Sequence, residues 1–399
     1  MAGLSSSRSG TESIDFSKLN VVLATHAALR RSGPPQALIE YLRNKAERLL
    51  VIVHPLLGVS DFESRALCYM SGETRIRIFH KTRGFSSLRF LLQLILDVFL
   101  VLLTERKADI FIGVDSLNAF AGILLRALRK VSTVVYFSVD YVPRRFGNAI
   151  LDSAYFFLDN VCVKLSDRVW NVSAPMADIR RHQGVPRNKN LVVPAGVNLQ
   201  KIKHVHSKTR RARTILFVGY LDRIKGVQLI IESMHRILKE LPDAELIIVG
   251  DGPYENHLRT LVESKGVQEN VKLLKPLPYD DLIGLMSECT IGVAPYVPVK
   301  QSYSILGDSM KIKEYAACGL PIIMTRVPAV ATEVEREGAG IVIDYDSRQL
   351  SEAVINILEN PELFENISKK AMVFASKYDW SSIFSKAFEL TLKNDYGEE

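Results

Sequence analysis

Short apolar, β-branched runs alternate with helical periods through the first half of the chain. Residues 20–24, 49–54, 75–79, 109–113, 133–137 and 168–173 read as strands. Between them, residues 117–128 and 149–165 repeat apolar positions at helical spacing. Buried strands alternating with helices predict a parallel sheet covered on both faces. The second half restarts the rhythm with strands at 214–218, 245–249, 271–274, 291–294, 321–325 and 341–343. Its first helix, 227–241, lines up Val227, Ile230, Ile231, Met234, Ile237, Leu238 and Leu241 on one stripe with charges opposite. The fold class expected is α/β: two doubly wound, Rossmann-like domains facing across a cleft, with ligands at the carboxyl ends of the strands.

The boundaries follow from where the pattern lapses. Residues 1–17 are Ser-rich and polar, a disordered leader with no basic region followed by an apolar core. The N-terminal domain is expected over 18–197. Residues 198–213 are polar and basic without an apolar period, and read as a linker of solvated cations. The C-terminal domain follows over 214–376. One apolar stretch, 85–103, falls short of the ~20 apolar residues of a spanning helix. Arg89, Gln93 and Asp97 interrupt it at four-residue spacing, on one helical face. Two readings stand: a helix packed on a sheet, or a surface that dips into a membrane.

Composition narrows the class. A chain of 399 residues suits two domains, and 47% hydrophobic with 24% charged residues excludes disorder throughout and fibrous architectures. Cys68, Cys162, Cys289 and Cys318 lie far apart, which argues against a zinc site or disulfide scaffold and suits a reducing cytoplasm. Lysine and arginine number 51 against 44 acids, a net charge of +7. That surplus suits anionic ligands or an acidic membrane surface, and equally plain solubility. No nucleic-acid partner is expected.

Three strand-to-helix junctions carry candidate chemistry. In VGYLDRIKG (218–226) a strand ends at Gly219 and a helix starts near Gly226. Free N–H groups there favour phosphate, and Arg223 and Lys225 add cations; the alternative is a solvated loop. In VGDGPYE (249–255), Gly250 and Gly252 permit close backbone approach. A third glycine is missing and Pro253 lacks an N–H, so a NAD fingerprint is not met and an ordinary capped turn reads as well. In residues 307–321 a Gly/Asp/Ser loop feeds a short helix stopped at Gly319. Loop N–H groups around Ser309 and the Lys311 ammonium can hold phosphate, while Glu314 can accept from sugar hydroxyls. Lys311 and Glu314, three apart, read equally as an ion pair.

In order and spacing, VGYLDRIKG, VGDGP and EYAACGLP (314–321), preceded by PAGVN (194–198), resemble the nucleotide-sugar-binding domain of glycosyltransferase family 4 (group 1), the retaining GT-B enzymes. Tyr378, Asp379 and Trp380 resemble the motif opening the last helix, which in that fold crosses back to the first domain, here over 377–399. The resemblance implies transfer of a sugar from a nucleoside-diphosphate sugar to a glycan or lipid-linked acceptor, with no cofactor beyond the donor. Lys225, with Arg223, would neutralise the diphosphate. Gly219, Gly250, Gly252, Ser309 and Lys311 would line the donor, and Glu314 would bind ribose. Gly33 would approach the donor phosphate from the N-terminal domain.

The chain departs from the pattern at three places. Tyr220 replaces the phosphate-binding arginine, and Leu306 the first acid of an E-x7-E pair. Residues 308–315 instead loosely resemble the S-P-L-K-x-x-E-Y variant, matching at Lys311, Glu314 and Tyr315. The N-domain histidine is absent, and Asp140 stands near its place. A catalytically degenerate nucleotide-sugar-binding protein of the same fold is therefore the alternative, ahead of an epimerase or a NAD-linked oxidoreductase. The cations and aromatics of 140–146 suit an anionic acceptor such as a lipid-linked phosphate, or else pair with surface acids. Asp344-Tyr345-Asp346 spells D-x-D, but its place before a helix reads as a cap, and no metal is expected. A cytoplasmic location is expected, either free or peripheral at the inner face of the cell membrane.

Overall fold

The computed structural model describes residues 14–27, 33–55, 63–70, 73–81, 86–105, 107–141, 148–205, 210–299 and 303–393. Eight strands build the first sheet: β1 (Asn20–His26), β2 (Arg48–His54), β3 (Glu63–Met70), β4 (Glu73–Lys81), β5 (Ala108–Val114), β6 (Val131–Ser138), β7 (Arg168–Asn171) and β8 (Asn190–Val192), in the order β4-β3-β2-β1-β5-β6-β7-β8. From β2 to β8 the pairing is parallel. The sheet is not wholly parallel as expected, because β3 pairs antiparallel with β2 and with β4. Sequence reading passed over β3 because only alternate residues, Ser64, Ala66 and Cys68, are buried, so no continuous apolar run marks it. The three-residue β8 gives too little pattern to register.

Helices α1 (Pro34–Arg43), α2 (Ser86–Thr104), α3 (Ser116–Ala127), α4 (Ala149–Leu165) and α5 (Ala174–His182) accompany this sheet. Helix α6 (Leu199–Val205) then replaces the first half of the expected linker. Its Ile202 is buried in the core of the second domain. Arg210 is no idle surface cation: its guanidinium donates to the carbonyls of Cys289 (2.8 Å), Cys318 (2.8 Å) and Gly319 (3.2 Å). These are carbonyls that helix ends leave without partners, and a planar fork of donors satisfies several at once.

The second sheet holds β9 (Thr214–Val218), β10 (Glu245–Val249), β11 (Val271–Leu274), β12 (Ile291–Ala294), β13 (Ile322–Thr325) and β14 (Gly340–Ile343). All pairs are parallel, in the order β11-β10-β9-β12-β13-β14. The order reverses between β9 and β12, and the crevice at such a switch point is where doubly wound sheets bind ligands. Helices α7 (Val227–Glu240), α8 (Glu255–Lys265), α9 (Tyr279–Glu288), α10 (Tyr303–Leu306), α11 (Met310–Ala317), α12 (Ala331–Glu337), α13 (Ser347–Glu359) and α14 (Pro361–Ser376) complete this half.

Residues 14–18 and the last helix both fasten onto the first domain. Helix α15 (Trp380–Leu392) buries Trp380, Phe384, Ala387 and Phe388 in the same core as β1, β2 and β5. Trp170 donates its indole N–H to Thr391 Oγ1 at 3.0 Å, and its ring meets Phe388 edge-on at 5.2 Å. Residues 14–17 are not a disordered leader. Phe16 opens a 3-10 turn and lies edge-on to Tyr41 (5.7 Å) and Phe388 (5.3 Å); residues 1–13 lie outside the described residues. Phe388 thus joins three segments distant in sequence. Phe388→Ala is expected to cost about 3–5 kcal/mol of unfolding free energy, through lost apolar burial and the cavity left behind. Urea denaturation measures it, and a loss below about 1 kcal/mol would show that α15 is only laid against the domain.

Candidate functional site

The strand ends at the switch point are fitted to one another before any ligand is considered. After β9, Gly219 takes φ 147° and donates its N–H to Val249 O at 3.0 Å. A Cβ on Gly250 would lie 1.9 Å from Gly219 O, and one on Gly252 2.3 Å from Leu221 O. The tight approach that these glycines permit is therefore between the loops after β9 and β10. They shape the floor of the crevice at the strand ends.

Two lysines converge above that floor on one aromatic ring. Lys225 closes a 3-10 turn, and its Nζ lies 5.2 Å from the centroid of Tyr296, just beyond β12. Lys311, in the first turn of α11, places its Nζ 4.9 Å from the same ring and 4.0 Å from that of Phe217. Burial lowers the Lys225 pKa, with Asp222 opposing. Burial pushes Lys311 well below the usual lysine range, and the Lys225 charge pushes it further. Tyr296 is held from both ends: its hydroxyl meets Ser309 Oγ at 2.8 Å, and its carbonyl accepts from Thr325 Oγ1 at 2.7 Å. Two desolvated ammonium groups that repel each other gain most from an anion of more than one charge. Sequence reading named both lysines and missed Tyr296 and Phe217.

The expected ion pair between Lys311 and Glu314 does not form. Lys311 turns to Phe217 and Tyr296, while Glu314 is buried and accepts a hydrogen bond from Tyr279. Burial lifts the Glu314 carboxyl to about 7, the Tyr279 contact opposing it. Arg223 is exposed. Its carbonyl accepts from Gln228, its charge is felt at Tyr345, and among the described residues no ring contact joins it to the lysine cluster.

Leu306, standing where an acid was expected, has a structural reason. Its carbonyl accepts from Ser173 Oγ at 2.5 Å, at the start of α5 in the first domain. Its side chain and that of Met310 pack against the first domain's core. Close by, Asp308 accepts from the N–H of Ala195 (2.8 Å) and pairs with Lys313, which donates to Ala195 O (2.6 Å). This buried Asp308–Lys313 pair, unmarked by any sequence signal, clamps the 194–198 segment to the loop that positions Ser309 and Lys311.

The first domain offers less. Gly33 caps α1 in extended backbone, φ −178°, and among the described residues an added Cβ would crowd the flexible Gln36 side chain and touch Pro35 at ordinary contact distance. Nothing in its conformation demands glycine. Asp140 is exposed two residues beyond β6, at the carboxyl edge of the sheet; residues 142–147, with Arg144 and Arg145, lie outside the described residues. At the ends of β1 and β5, unanticipated from sequence, His26 Nδ1 lies 2.7 Å from Asp115 Oδ2. Burial lowers the His26 pKa, but Asp115 outweighs it and the net shift is upward. The D-x-D segment caps a helix, Asp346 accepting the Gln349 N–H at 2.8 Å.

Residues 212–360 match the family model described as glycosyl transferases group 1, which bears out the resemblance read from the motifs. A GDP-mannose-dependent monoacylated alpha-(1-6)-phosphatidylinositol monomannoside mannosyltransferase of Corynebacterium glutamicum is 33% identical over 138 residues, 34% of this chain and 35% of that protein. A D-inositol 3-phosphate glycosyltransferase of Corynebacterium jeikeium is 24% identical over 252 residues, 58% of this chain and 56% of that protein. The chain thus spans between about a third and somewhat over half the length of these curated relatives. Among solved structures, HepE of Anabaena in complex with UDP superposes with a TM-score of 0.68 at 16% identity, covering 93% of this chain and 99% of that one. Sucrose-phosphate synthase of Thermosynechococcus elongatus gives 0.70 at 17%, covering 94% and 98%. The fold is GT-B, as expected.

Glu314 supplies a test of the site's electrostatics. Its carboxyl titrates higher in the fold than in the unfolded chain, so the native state loses stability as pH rises from about 4.5 to about 7. Glu314→Gln escapes that loss and is expected to be the more stable form above neutrality, by up to about 3 kcal/mol, with no advantage in acid. Denaturation on both sides of neutrality checks it. An equal difference at every pH would mean that Glu314 does not titrate in this range.

Proposed function

We propose that this chain, whose second domain carries the features of the group 1 glycosyltransferases, moves a sugar from a nucleoside-diphosphate sugar to a glycan or lipid-linked acceptor with retention of configuration. The observation carrying this reading is the pair of desolvated lysines about Tyr296 at the switch point. As the glycosidic bond breaks, the diphosphate leaving group gains negative charge and the sugar becomes oxocarbenium-like. Cations already fixed beside the diphosphate stabilise that separation more than the ground state. Lys225 and Lys311 do this work, Arg223 adding charge from the exposed rim. The N–H groups at the start of α11, at Ser309 and beyond, take phosphate oxygens.

Glu314 accepts from the ribose hydroxyls, which favours its ionised form and compensates its burial. Gly219, Gly250 and Gly252 keep the floor low enough for the nucleotide, and Gly33 and Asp140 face it from the first domain. No metal or cofactor is needed, since the ammonium groups supply the positive charge. Acceptors that are anionic polyols, the class named for the curated relatives, suit the basic balance of the chain, and the protein meets them at the cytoplasmic face of a membrane.

Calorimetry with UDP, GDP, ADP, dTDP and NAD tests the donor site. One diphosphate is expected to bind at micromolar strength and to lose binding in Lys225→Ala and Lys311→Ala. In transfer assays each variant is expected to lose about 10²–10³ in rate, roughly 2.7–4 kcal/mol of barrier. Binding without turnover of any donor sugar would favour the degenerate binding protein, and binding of NAD alone would overturn the reading. Retention is read from the anomeric NMR signal of the product.

A second outcome follows from Lys311. A diphosphate beside it restores its affinity for protons, so binding on the alkaline side of neutrality is expected to take up protons from solution. The apparent binding enthalpy must then change with the ionisation enthalpy of the buffer, and must change less in Lys311→Arg, whose guanidinium stays charged throughout. A buffer-independent enthalpy in the wild type would show that Lys311 is fully charged before binding.

A further inference from the structure

Helix α2 is amphipathic in the sense opposite to a helix laid on a sheet. Between Phe90 and Thr104 its exposed side chains are Leu91, Leu92, Ile95, Phe99, Leu102 and Leu103, every one apolar. They recur at spacings of three and four and so form one stripe. Ile95 and Phe99 are each 54% exposed and Leu103 65%. The polar residues point inward: Gln93 Oε1 lies 3.0 Å from His26 Nε2, and Asp97 Oδ1 2.9 Å from His54 Nε2.

The neighbouring helices continue the feature. Helix α3 packs between α2 and α4. It exposes Leu124 and Leu128, while α4 exposes Ile150 (79%) and Phe157 (71%). Cations stand where these helices end: Lys107 after α2, Arg129 and Lys130 after α3, and Lys164 in the last turn of α4. Nearby acids are already engaged, Glu105 by Arg48 and Asp167 by Arg126.

We infer that α2, flanked by α3 and α4, docks on the surface of an anionic lipid bilayer. The leucine and phenylalanine stripe enters the boundary between headgroups and acyl chains, and the lysines and arginines meet lipid phosphates. Charge complementarity chooses the bilayer over a second copy of this chain, whose own face would bring the same cations together. No helix among the described residues is long and apolar enough to cross a membrane, so α2 lies in the interface. The inference rests on the proposal that the acceptor is met at a membrane face. It adds the contact surface and its geometry: the bonds from Gln93 and Asp97 fix that surface to the carboxyl ends of β1 and β2, beside the acceptor side of the cleft.

Co-sedimentation of the full chain with vesicles tests it, comparing equal parts phosphatidylglycerol and phosphatidylcholine with phosphatidylcholine alone. The wild type is expected to bind the anionic vesicles and, without their negative charge, to bind weakly. The double substitution I95E/F99E is expected to weaken binding at least tenfold, and the triple substitution K107E/R129E/K130E to weaken it and abolish its salt dependence. All are surface changes, and unaltered nucleoside-diphosphate binding certifies that the variants are folded. Failure of the wild type to sediment, equal sedimentation of I95E/F99E, or a lipid-free dimer that I95E/F99E dissociates would each overturn the inference. Lipid binding with no diphosphate binding by the wild type would uphold docking while removing the donor reading, with circular dichroism then certifying the fold.

Discussion

The arrangement at the switch point depends on holding two partly desolvated ammonium groups close to one tyrosine ring. Left to itself the arrangement is unfavourable, because Lys225 and Lys311 both lose solvation and repel each other. It persists because each lysine is fixed by a different part of the second domain. Lys225 closes the turn between β9 and α7, and Lys311 rides in the first turn of α11. Tyr296, pinned through Ser309 and Thr325, supplies a π-face to both. Such an arrangement has the character of a preorganised anion site, in which the cost of holding the charges is met in folding and not on binding.

Much of this was legible in the sequence, for stated reasons. The central strands β9, β10, β12 and β13 are buried almost throughout, and the edge strands β11 and β14, only partly buried, are marked by short apolar runs, so the pattern located all six. Lys225, Lys311 and Glu314 were found because they sit at fixed offsets from strand ends and helix starts, where phosphate and ribose chemistry is confined. Tyr296 and Asp308 were not, since a tyrosine after a strand and an aspartate in a loop are ordinary in composition. Only three-dimensional neighbours at distant positions, Lys225 for the one and Ala195 for the other, give them meaning. The linker and the last residues of the leader, 14–17, depart from expectation in a related way. Polar composition predicts solvent exposure, yet Arg210 satisfies helix-end carbonyls, and Phe16, a single aromatic, was enough to anchor its segment.

Helix α2 exposes a limit of the amphipathic rule itself. Polar spacing identified Gln93 and Asp97 as one face correctly, and the rule then turns that face to water. Here His26 and His54 at the ends of β1 and β2 offer buried partners, and a polar group with a buried partner loses little by leaving solvent. Period alone says which residues share a face; it does not say which face is wet.

The segment 303–313 ties these separate features together. Its Leu306 belongs by packing and by the Ser173 bond to the first domain, whereas Lys311 belongs to the donor crevice of the second. Asp308 and Lys313, between and beside them, grip the backbone of Ala195 immediately before α6. A shift of one domain relative to the other must therefore strain this segment or break the Ser173–Leu306 bond. An acid at 306, placed against the apolar core that Leu306 meets, would bear an unpaired charge there. Leucine at 306 therefore has a packing use: it joins the segment that carries Lys311 to the core of the first domain.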